Sequence, residues 1–218
     1  MMKYPGWIGT QGYITLLIVC LSACTSITPS SSPPATSWKD RQVSLSRIQH
    51  WQLNGKVGVQ TTRELGSANV DWIQKYNQYT VSLFGPLGMV RFKLTGQANR
   101  VTLETADGKR YTANNPEQLL VEQWGFRLPI SSLIYWIRGL PVSGMTYTKQ
   151  LDTYNRLSEL VQQGWRIQFL SYVNVGGIDL PNKIAITSSI LKVKLIIYRW
   201  DITKPIIFVD TVYLSQQK

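Results

Sequence analysis

Apolar and polar residues alternate along most of this chain between Trp51 and Trp200, and this period of two limits the possible folds more than any other feature. Successive side chains of a β-strand point to opposite faces, so such runs predict strands with one buried and one wet face. Turn residues separate the runs, for example Asp107-Gly108, which is typical of a tight hairpin. The short intervals before residue 114 leave no room for crossover helices, so the strands are predicted to be antiparallel.

The runs fall into two groups, six before residue 114 and five after residue 146, which predicts about eleven strands. Asn115-Pro116 has the chemistry of a helix start and Gly125 that of a helix end, and a very apolar helix is predicted around Leu133–Ile137. A helix that is apolar nearly all round is a buried helix. We therefore expect the two middle helices to lie as a plug inside a curved sheet. A weaker first helix is predicted over Trp38–Gln49.

The N-terminus is typical of a secreted bacterial lipoprotein. Residues 1–23 are predicted to be a signal peptide, because their apolar run is too short to span a bilayer and ends in small residues. Leu21-Ser22-Ala23-Cys24 resembles a lipobox, in which Cys24 becomes the first mature residue and carries an N-acyl diacylglycerol. Residues 24–37 are then predicted to be a flexible tether, and 38–218 a single domain. Thr25, in place of Asp, favours the outer membrane over the inner one.

Few residues of this chain are suited to catalysis. It has one histidine, His50, no serine in a Gly-x-Ser-x-Gly elbow, no cysteine–histidine cluster for a metal and no glycine-rich phosphate loop. We therefore expect no enzyme activity, no metal and no cofactor other than the lipid on Cys24. The net charge of +11 suits anionic head groups or an acidic partner surface, or serves as a solvated basic surface. Nucleic acid is not expected outside the cytoplasm.

Two features of the apolar residues have more than one interpretation. Leu87 is the only large side chain at the tip of the turn Gly85-Pro86-Leu87-Gly88, and it either folds back onto a strand or is held out toward a membrane or partner. The eight tryptophans and eleven tyrosines either fill an ordinary core or line an apolar pocket that accepts a hydrocarbon chain.

Several motifs occur in the order and spacing of one protein family. The chain resembles LolB, the outer-membrane receptor of the bacterial lipoprotein sorting system, from about Trp38 to Trp200. The residues that carry the resemblance are the lipobox with Thr25, Trp38, Trp72, Gly85-Pro86-Leu87-Gly88, Gly108–Ala113, Leu128-Pro129-Ile130, Leu133–Pro141, Gly164-Trp165 and Trp200. The segment Trp-Ile-Arg-Gly-Leu-Pro, residues 136–141, is its most specific part. The chain departs from the family after Trp200, where residues 201–218 form an atypical extension.

The resemblance implies a mainly β fold, an open antiparallel half-barrel of about eleven strands with short helices plugging a hydrophobic cavity. It further implies that the cavity accepts the acyl chains of lipoproteins from the periplasmic carrier LolA, and that the chain, as a monomer, delivers them to outer-membrane lipid. Pro86, Leu87 and Gly88 then form a membrane-insertion loop. Our candidates for the cavity wall are Val70, Trp72, Leu83, Phe92, Leu103, Leu133, Trp136, Ile137, Trp165 and Ile167. The alternative is a tethered periplasmic scaffold, a protein-docking lipoprotein with a fully packed core.

Overall fold

Eleven antiparallel strands form one sheet in the part of the chain that the computed structural model describes, residues 37–61, 65–85, 88–97 and 99–203. The strands are β1 (His50–Thr61), β2 (Leu65–Lys75), β3 (Gln78–Phe84), β4 (Val90–Gln97), β5 (Arg100–Thr105), β6 (Arg110–Ala113), β7 (Tyr147–Leu151), β8 (Leu157–Gln162), β9 (Trp165–Val175), β10 (Ile178–Thr187) and β11 (Leu191–Ile202). Three helices accompany them: α1 (Trp38–Ser46), α2 (Pro116–Trp124) and α3 (Ile130–Trp136).

The strand order shows that this sheet is open. It runs β6-β5-β4-β3-β2-β1-β11-β10-β9-β8-β7, so the first and last strands are paired at its centre and β6 and β7 are its two edges. These edge strands follow one another in the chain, and the segment that joins them contains α2 and α3. Side chains of both helices and of strands from both halves of the sheet line the same cavity. The predicted open antiparallel half-barrel of about eleven strands with plugging helices is therefore confirmed.

The two plugging helices begin and end where their sequence predicts. The Asn115 side-chain oxygen accepts a hydrogen bond from the Gln118 backbone N–H at 2.7 Å, with Pro116 as the first helical residue of α2. Gly125 ends α2 at φ 74°, a left-handed conformation that favours glycine. In α3, Leu133 and Trp136 are buried, as expected for a helix that fills the inside of the sheet.

One helix boundary was predicted wrongly, because α1 ends at Ser46 rather than continuing to Gln49. The Ile48 backbone N–H donates to the Leu45 carbonyl at 3.1 Å, which tightens the chain into a turn before β1 begins at His50. At the other end of the domain, β11 continues past Trp200 to Ile202, which lies opposite Trp51 of β1. The remainder of the extension, 204–218, lies outside the described residues, as do residues 1–36 with Cys24.

A buried arginine joins α3 to the start of β1. Arg138 Nη1 donates to the carbonyl oxygens of Ile48 at 2.6 Å and Leu45 at 3.5 Å, and its Nε donates to the Ile134 carbonyl at 2.9 Å. Burial lowers the pKa of the Arg138 guanidinium, because the charged form is held away from water. The contacts with three carbonyls keep α3 and the α1–β1 turn in a fixed arrangement.

Replacing Arg138 with Met should destabilise the domain by about 1–3 kcal/mol, because buried carbonyl oxygens lose their donor. Thermal unfolding should show the loss as a fall in Tm of roughly 2–4 °C per kcal/mol. The control is Arg110→Met, since Arg110 is largely exposed and pairs with Glu104 at 3.4 Å; this change should stay within about 0.5 kcal/mol. Equal effects of the two substitutions would contradict a structural role for Arg138.

The central pairing of β1 with β11 requires glycine at position 55. A Cβ atom there would collide with the carbonyl oxygen of Ile196 on the partner strand, where the register of the two strands shifts between Asn54 and Gly55. A Cβ atom at Gly58, on the same strand, would meet nothing closer than the Gly66 carbonyl oxygen at 4.0 Å. The two glycines therefore lie on the same strand but differ in the space available for a side chain.

We expect Gly55→Ala to lower the free energy of unfolding by about 1–3 kcal/mol or more, because the two central strands must move apart. Gly58→Ala should leave it unchanged or raise it slightly, since alanine lowers the entropy of the unfolded chain. Urea unfolding of both variants measures the difference. A Gly55→Ala protein as stable as Gly58→Ala would show that the close approach to Ile196 does not constrain the sheet.

Candidate functional site

Side chains on the inner face of the sheet lie in rows that cross the strands. The strand register places Leu53, Trp72, Val81, Leu94 and Leu103 opposite one another, and we call these the Leu53 row. The Val70 row lies two residues from the Leu53 row along each strand, toward the end of β3, and consists of Val70, Leu83 and Phe92. Two residues in the other direction lies the Trp51 row: Trp51, Gln74, Tyr79, Gly96 and Val101. The named residues of the first two rows are apolar, whereas the Trp51 row is mixed; at the sheet edge Phe92 pairs with Thr105 and Leu103 with Tyr111.

An apolar cavity of about 100 Å³ lies between the Leu53 and Val70 rows and the two plugging helices. Every side chain that lines it is apolar, and the lining includes Val193 and Leu195 from β11 on the other half of the sheet. Leu120 and Trp124 of α2 and Leu133 of α3 close it from the helical side. Such a cavity has no polar group with which to bind water, so it is suited to a hydrocarbon chain.

The structure brings most of the predicted cavity residues together. Seven of the ten candidates line this cavity: Val70, Trp72, Leu83, Phe92, Leu103, Leu133 and Ile137. The other three do not. Trp136 is fully buried and donates its Nε1 hydrogen to the Gln162 side chain at 2.9 Å, Ile167 is fully buried on β9, and Trp165 lines a different, more polar cleft.

The cavity also contains residues that we did not predict. Val57 and Val59 on β1 and Ile186 on β10 continue the alternation of their strands, so the phase of the pattern could have identified them. Trp124, Phe126 and Leu128 belong to the end of α2 and the loop after it, which have no such periodic signal. Their inward position depends on where the α2–α3 segment crosses the sheet.

A second and wider cleft, of about 1410 Å³, opens beside the Trp51 row. Its lining is mixed: it includes Trp51, Tyr79 and Val101 from the sheet, and many amide side chains from the turns and helix ends. Gln74, which also lines the cleft, is buried with a partner on each side-chain atom: it accepts from Trp72 Nε1 at 3.2 Å and donates to the Tyr76 carbonyl at 2.6 Å. The Trp51 row, which lines this cleft, is therefore adjacent to the Leu53 row, which lines the apolar cavity.

The predicted membrane-insertion loop lies at the opposite end of β3 from this cleft. The Gly85 N–H donates to the Met89 carbonyl at 2.9 Å, and the Gly88 N–H donates to the Gly85 carbonyl at 3.3 Å. Gly88 adopts φ 76°, and the Met89 side chain beside it is 68% exposed. Pro86 and Leu87 lie outside the described residues, so the position predicted for Leu87 stays a prediction.

The described residues offer no alternative site of a metal-dependent kind. Among residues 37–61, 65–85, 88–97 and 99–203, no three His, Cys, Asp or Glu side chains are grouped so that they could hold a metal ion. In the same ranges, none of the helices has the length and apolar character needed to cross a bilayer. His50 packs its ring edge-on against Tyr76, with centroids 4.3 Å apart.

Two solved structures resemble this chain at low sequence identity. A DUF1329 family protein from Desulfovibrio piger is 8% identical, with a TM-score of 0.51, over 78% of this chain and 94% of that chain. A LolA superfamily protein, NE2245 from Nitrosomonas europaea, is 11% identical, with a TM-score of 0.49, over 78% and 96% of the two chains. The first of these likenesses shows that the sheet architecture occurs in other proteins.

Sequence relatives are much closer. The outer-membrane lipoprotein LolB of Pseudomonas syringae pv. syringae is 38% identical over 84% of this chain and 92% of its own length. The LolB of Pseudomonas aeruginosa PAO1 is 38% identical over 84% and 91%, and that of Pseudomonas putida F1 is 40% identical over 75% and 80%. Their names agree with the outer-membrane location predicted for this chain. The model of the outer membrane lipoprotein LolB family matches residues 49–200, and this chain belongs to that family.

Proposed function

We propose that this chain receives the acyl chains of lipoproteins from LolA in its apolar cavity and passes them to the outer membrane. The observation that carries the proposal is a cavity lined by apolar side chains alone, enclosed between an open sheet and two helices. A second support is the family to which the chain belongs, whose name describes an outer membrane lipoprotein. Cys24, modified with an N-acyl diacylglycerol, then anchors the chain to the membrane that receives the cargo.

The energetics of the cargo require a protein of this kind. Burying one methylene group is worth about 0.8 kcal/mol, so three acyl chains of roughly 15 methylenes each would cost on the order of 36 kcal/mol to expose to water. Acyl chains must therefore pass from one apolar cavity to the next. The sequence has no phosphate-binding loop. Direction therefore comes from increasing affinity along the path, with the bilayer as the tightest site.

The cavity must enlarge to accept its cargo. Its volume of about 100 Å³ is smaller than an engineered cavity of about 150 Å³ that binds benzene. α2 meets the sheet through apolar contacts, with the Trp124 ring packed edge-to-face on Phe92 at a centroid distance of 5.0 Å. α3 is held by Arg138 and by the hydrogen bond of Trp136 to Gln162. α2 is therefore the part that moves aside, so that the acyl chain takes its place against the sheet.

Uptake of an apolar fluorophore tests the cavity. The mature chain with Cys24→Ala should bind N-phenyl-1-naphthylamine and release it on addition of a triacylated peptide. Leu83→Asn should weaken dye binding about tenfold, because the amide places an unpaired polar group in an apolar cavity. Ser82→Asn is the matched control, since neighbouring residues of a strand face opposite sides of the sheet; this variant should bind dye normally.

The same measurement separates the receptor from the tethered scaffold. A scaffold with a packed core takes up no dye, and acylated peptide has no effect on it. Equal losses in Leu83→Asn and Ser82→Asn would indicate that dye binds elsewhere, which would also contradict the proposal.

In this proposal Pro86, Leu87 and Gly88 form the loop that perturbs outer-membrane lipid at delivery. Leu87→Glu should leave transfer of lipoprotein from loaded LolA intact but block its transfer onward to membranes, because a carboxylate at the tip resists insertion into lipid. Fractionation of a labelled lipoprotein between LolA, the receptor and vesicles measures both steps. Unimpaired delivery by Leu87→Glu would reject the role of the loop while leaving the cavity untouched.

A further inference from the structure

Two residues that line the wider cleft each have a buried hydrogen-bonding atom with no partner among the described residues. The two atoms are Nε1 of Trp51 and the hydroxyl oxygen of Tyr79, in side chains that are 3% and 8% exposed. They belong to the Trp51 row, separated by Gln74 on the strand between them. Six such atoms occur in the described part of the chain, and the other four belong to residues that do not line the cleft.

Three other buried tryptophans have hydrogen-bond partners for their indole Nε1 atoms. Trp72 donates its Nε1 hydrogen to Gln74, Trp136 to Gln162, and Trp200 to the Pro181 carbonyl at 2.9 Å. Buried polar groups normally have partners, because an unsatisfied one loses its hydrogen bonds to water without replacement. These three indole groups have partners, whereas Nε1 of Trp51, like that of Trp38, is buried with none among the described residues.

A glycine on the neighbouring strand makes room for the Tyr79 ring beside the cleft. Gly96 lies opposite Tyr79 on β4, and a Cβ atom at position 96 would collide with the Tyr79 ring. Burial and the nearby charge of Glu117 raise the pKa of the Tyr79 phenol, so it stays protonated and able to donate. An indole N–H can only donate. A ligand that satisfies both groups must bring acceptor oxygens.

The residues that line the cleft indicate which chemical group contains these acceptor oxygens. The cleft lining contains the amide side chains of Gln49, Asn77 and Gln163, and its two arginines are balanced by two glutamates, which favours a neutral acceptor over a phosphate or carboxylate. Arg138, one of the two arginines, already donates to main-chain carbonyls. The Leu53 row, which is purely apolar, begins one step further along the same strands. The ligand therefore has a neutral carbonyl group joined directly to a hydrocarbon chain.

We propose that Trp51 and Tyr79 bind the ester carbonyl oxygens of a diacylglyceryl group, which sets the orientation of the cargo. The acyl chains then run from the Trp51 row along the Leu53 and Val70 rows toward Gly85, and the attached peptide leaves through the polar cleft. This inference rests on the proposed function and adds a polar subsite and a direction to it. A lipoprotein and a phospholipid both contain the diacylglyceryl ester, and the experiment compares the two sources.

The test is Tyr79→Phe in the mature chain with Cys24→Ala, with displacement of N-phenyl-1-naphthylamine as the readout. The competitors are a peptide with an S-diacylglyceryl cysteine and the same peptide with ether-linked alkyl chains, which lacks the ester carbonyls. Tyr79→Phe should weaken displacement by the ester peptide about two- to tenfold and leave the ether peptide unchanged, because only the ester accepts the hydrogen bond. The unliganded Tm should stay equal or rise, since the hydroxyl has no partner to lose.

Tyr198→Phe, which removes an exposed hydroxyl from the outer face of β11, is the matched control and should change neither competitor. A phosphatidylglycerol of the same chain length serves as a third competitor. If Tyr79→Phe weakens its displacement of dye as much as that of the ester peptide, the subsite accepts any diacylglyceryl ester; if its displacement is unchanged, the subsite is restricted to lipoproteins. If Tyr79→Phe changes displacement by the ester and ether peptides equally, or changes neither, the inference is overturned. Dye uptake by the parent chain would still support the apolar cavity. Failure of the parent chain to take up dye would overturn both.

Discussion

The pairing of β1 with β11 is the contact on which the rest of this structure depends. It joins the two ends of the domain at the centre of the sheet and leaves β6 and β7 as edges. Because these two strands are consecutive in the chain, the segment between them must cross from one edge to the other. That segment contains α2 and α3, so the same topology keeps the sheet open and places a lid over its inner face. Gly55 permits the close approach of the two central strands.

The inner face under this lid combines two environments along the same strands. In the Leu53 and Val70 rows, only apolar side chains face the helices, and in the Trp51 row polar groups appear. In the proposed function this gradient matches the cargo, which has long apolar chains joined to a polar peptide. A small cavity under a helix that packs through apolar side chains also suits transfer. In the proposed function, the acyl chain would cover the apolar surface that the helix uncovers on opening, and the loose packing would still allow release.

The sequence predicted the local elements well. Alternation along each run identified the strands, and Asn115, Pro116 and Gly125 marked both ends of α2, because each signal acts within a few residues. The end of α1 was predicted too late, since the turn at Ile48 depends on β1 beginning nearby and on Arg138, which is distant in the chain. Trp136 and Trp165 were predicted to line the apolar cavity, but contacts distant in the chain decide where each lies. Trp136 donates a hydrogen bond to Gln162, and Trp165 lines the wider cleft instead.

From the sequence alone, the class of the fold, the order of its elements and the likeness to one family followed, because alternation, turns and motifs are properties of neighbouring residues. Only the tertiary structure decided which residues share a row, how large the apolar cavity is, and that Trp51 and Tyr79 are buried without partners among the described residues. These properties depend on strands that are far apart in the chain meeting in one register. No local pattern contains that register, since it is set by the packing of the whole sheet against α2 and α3.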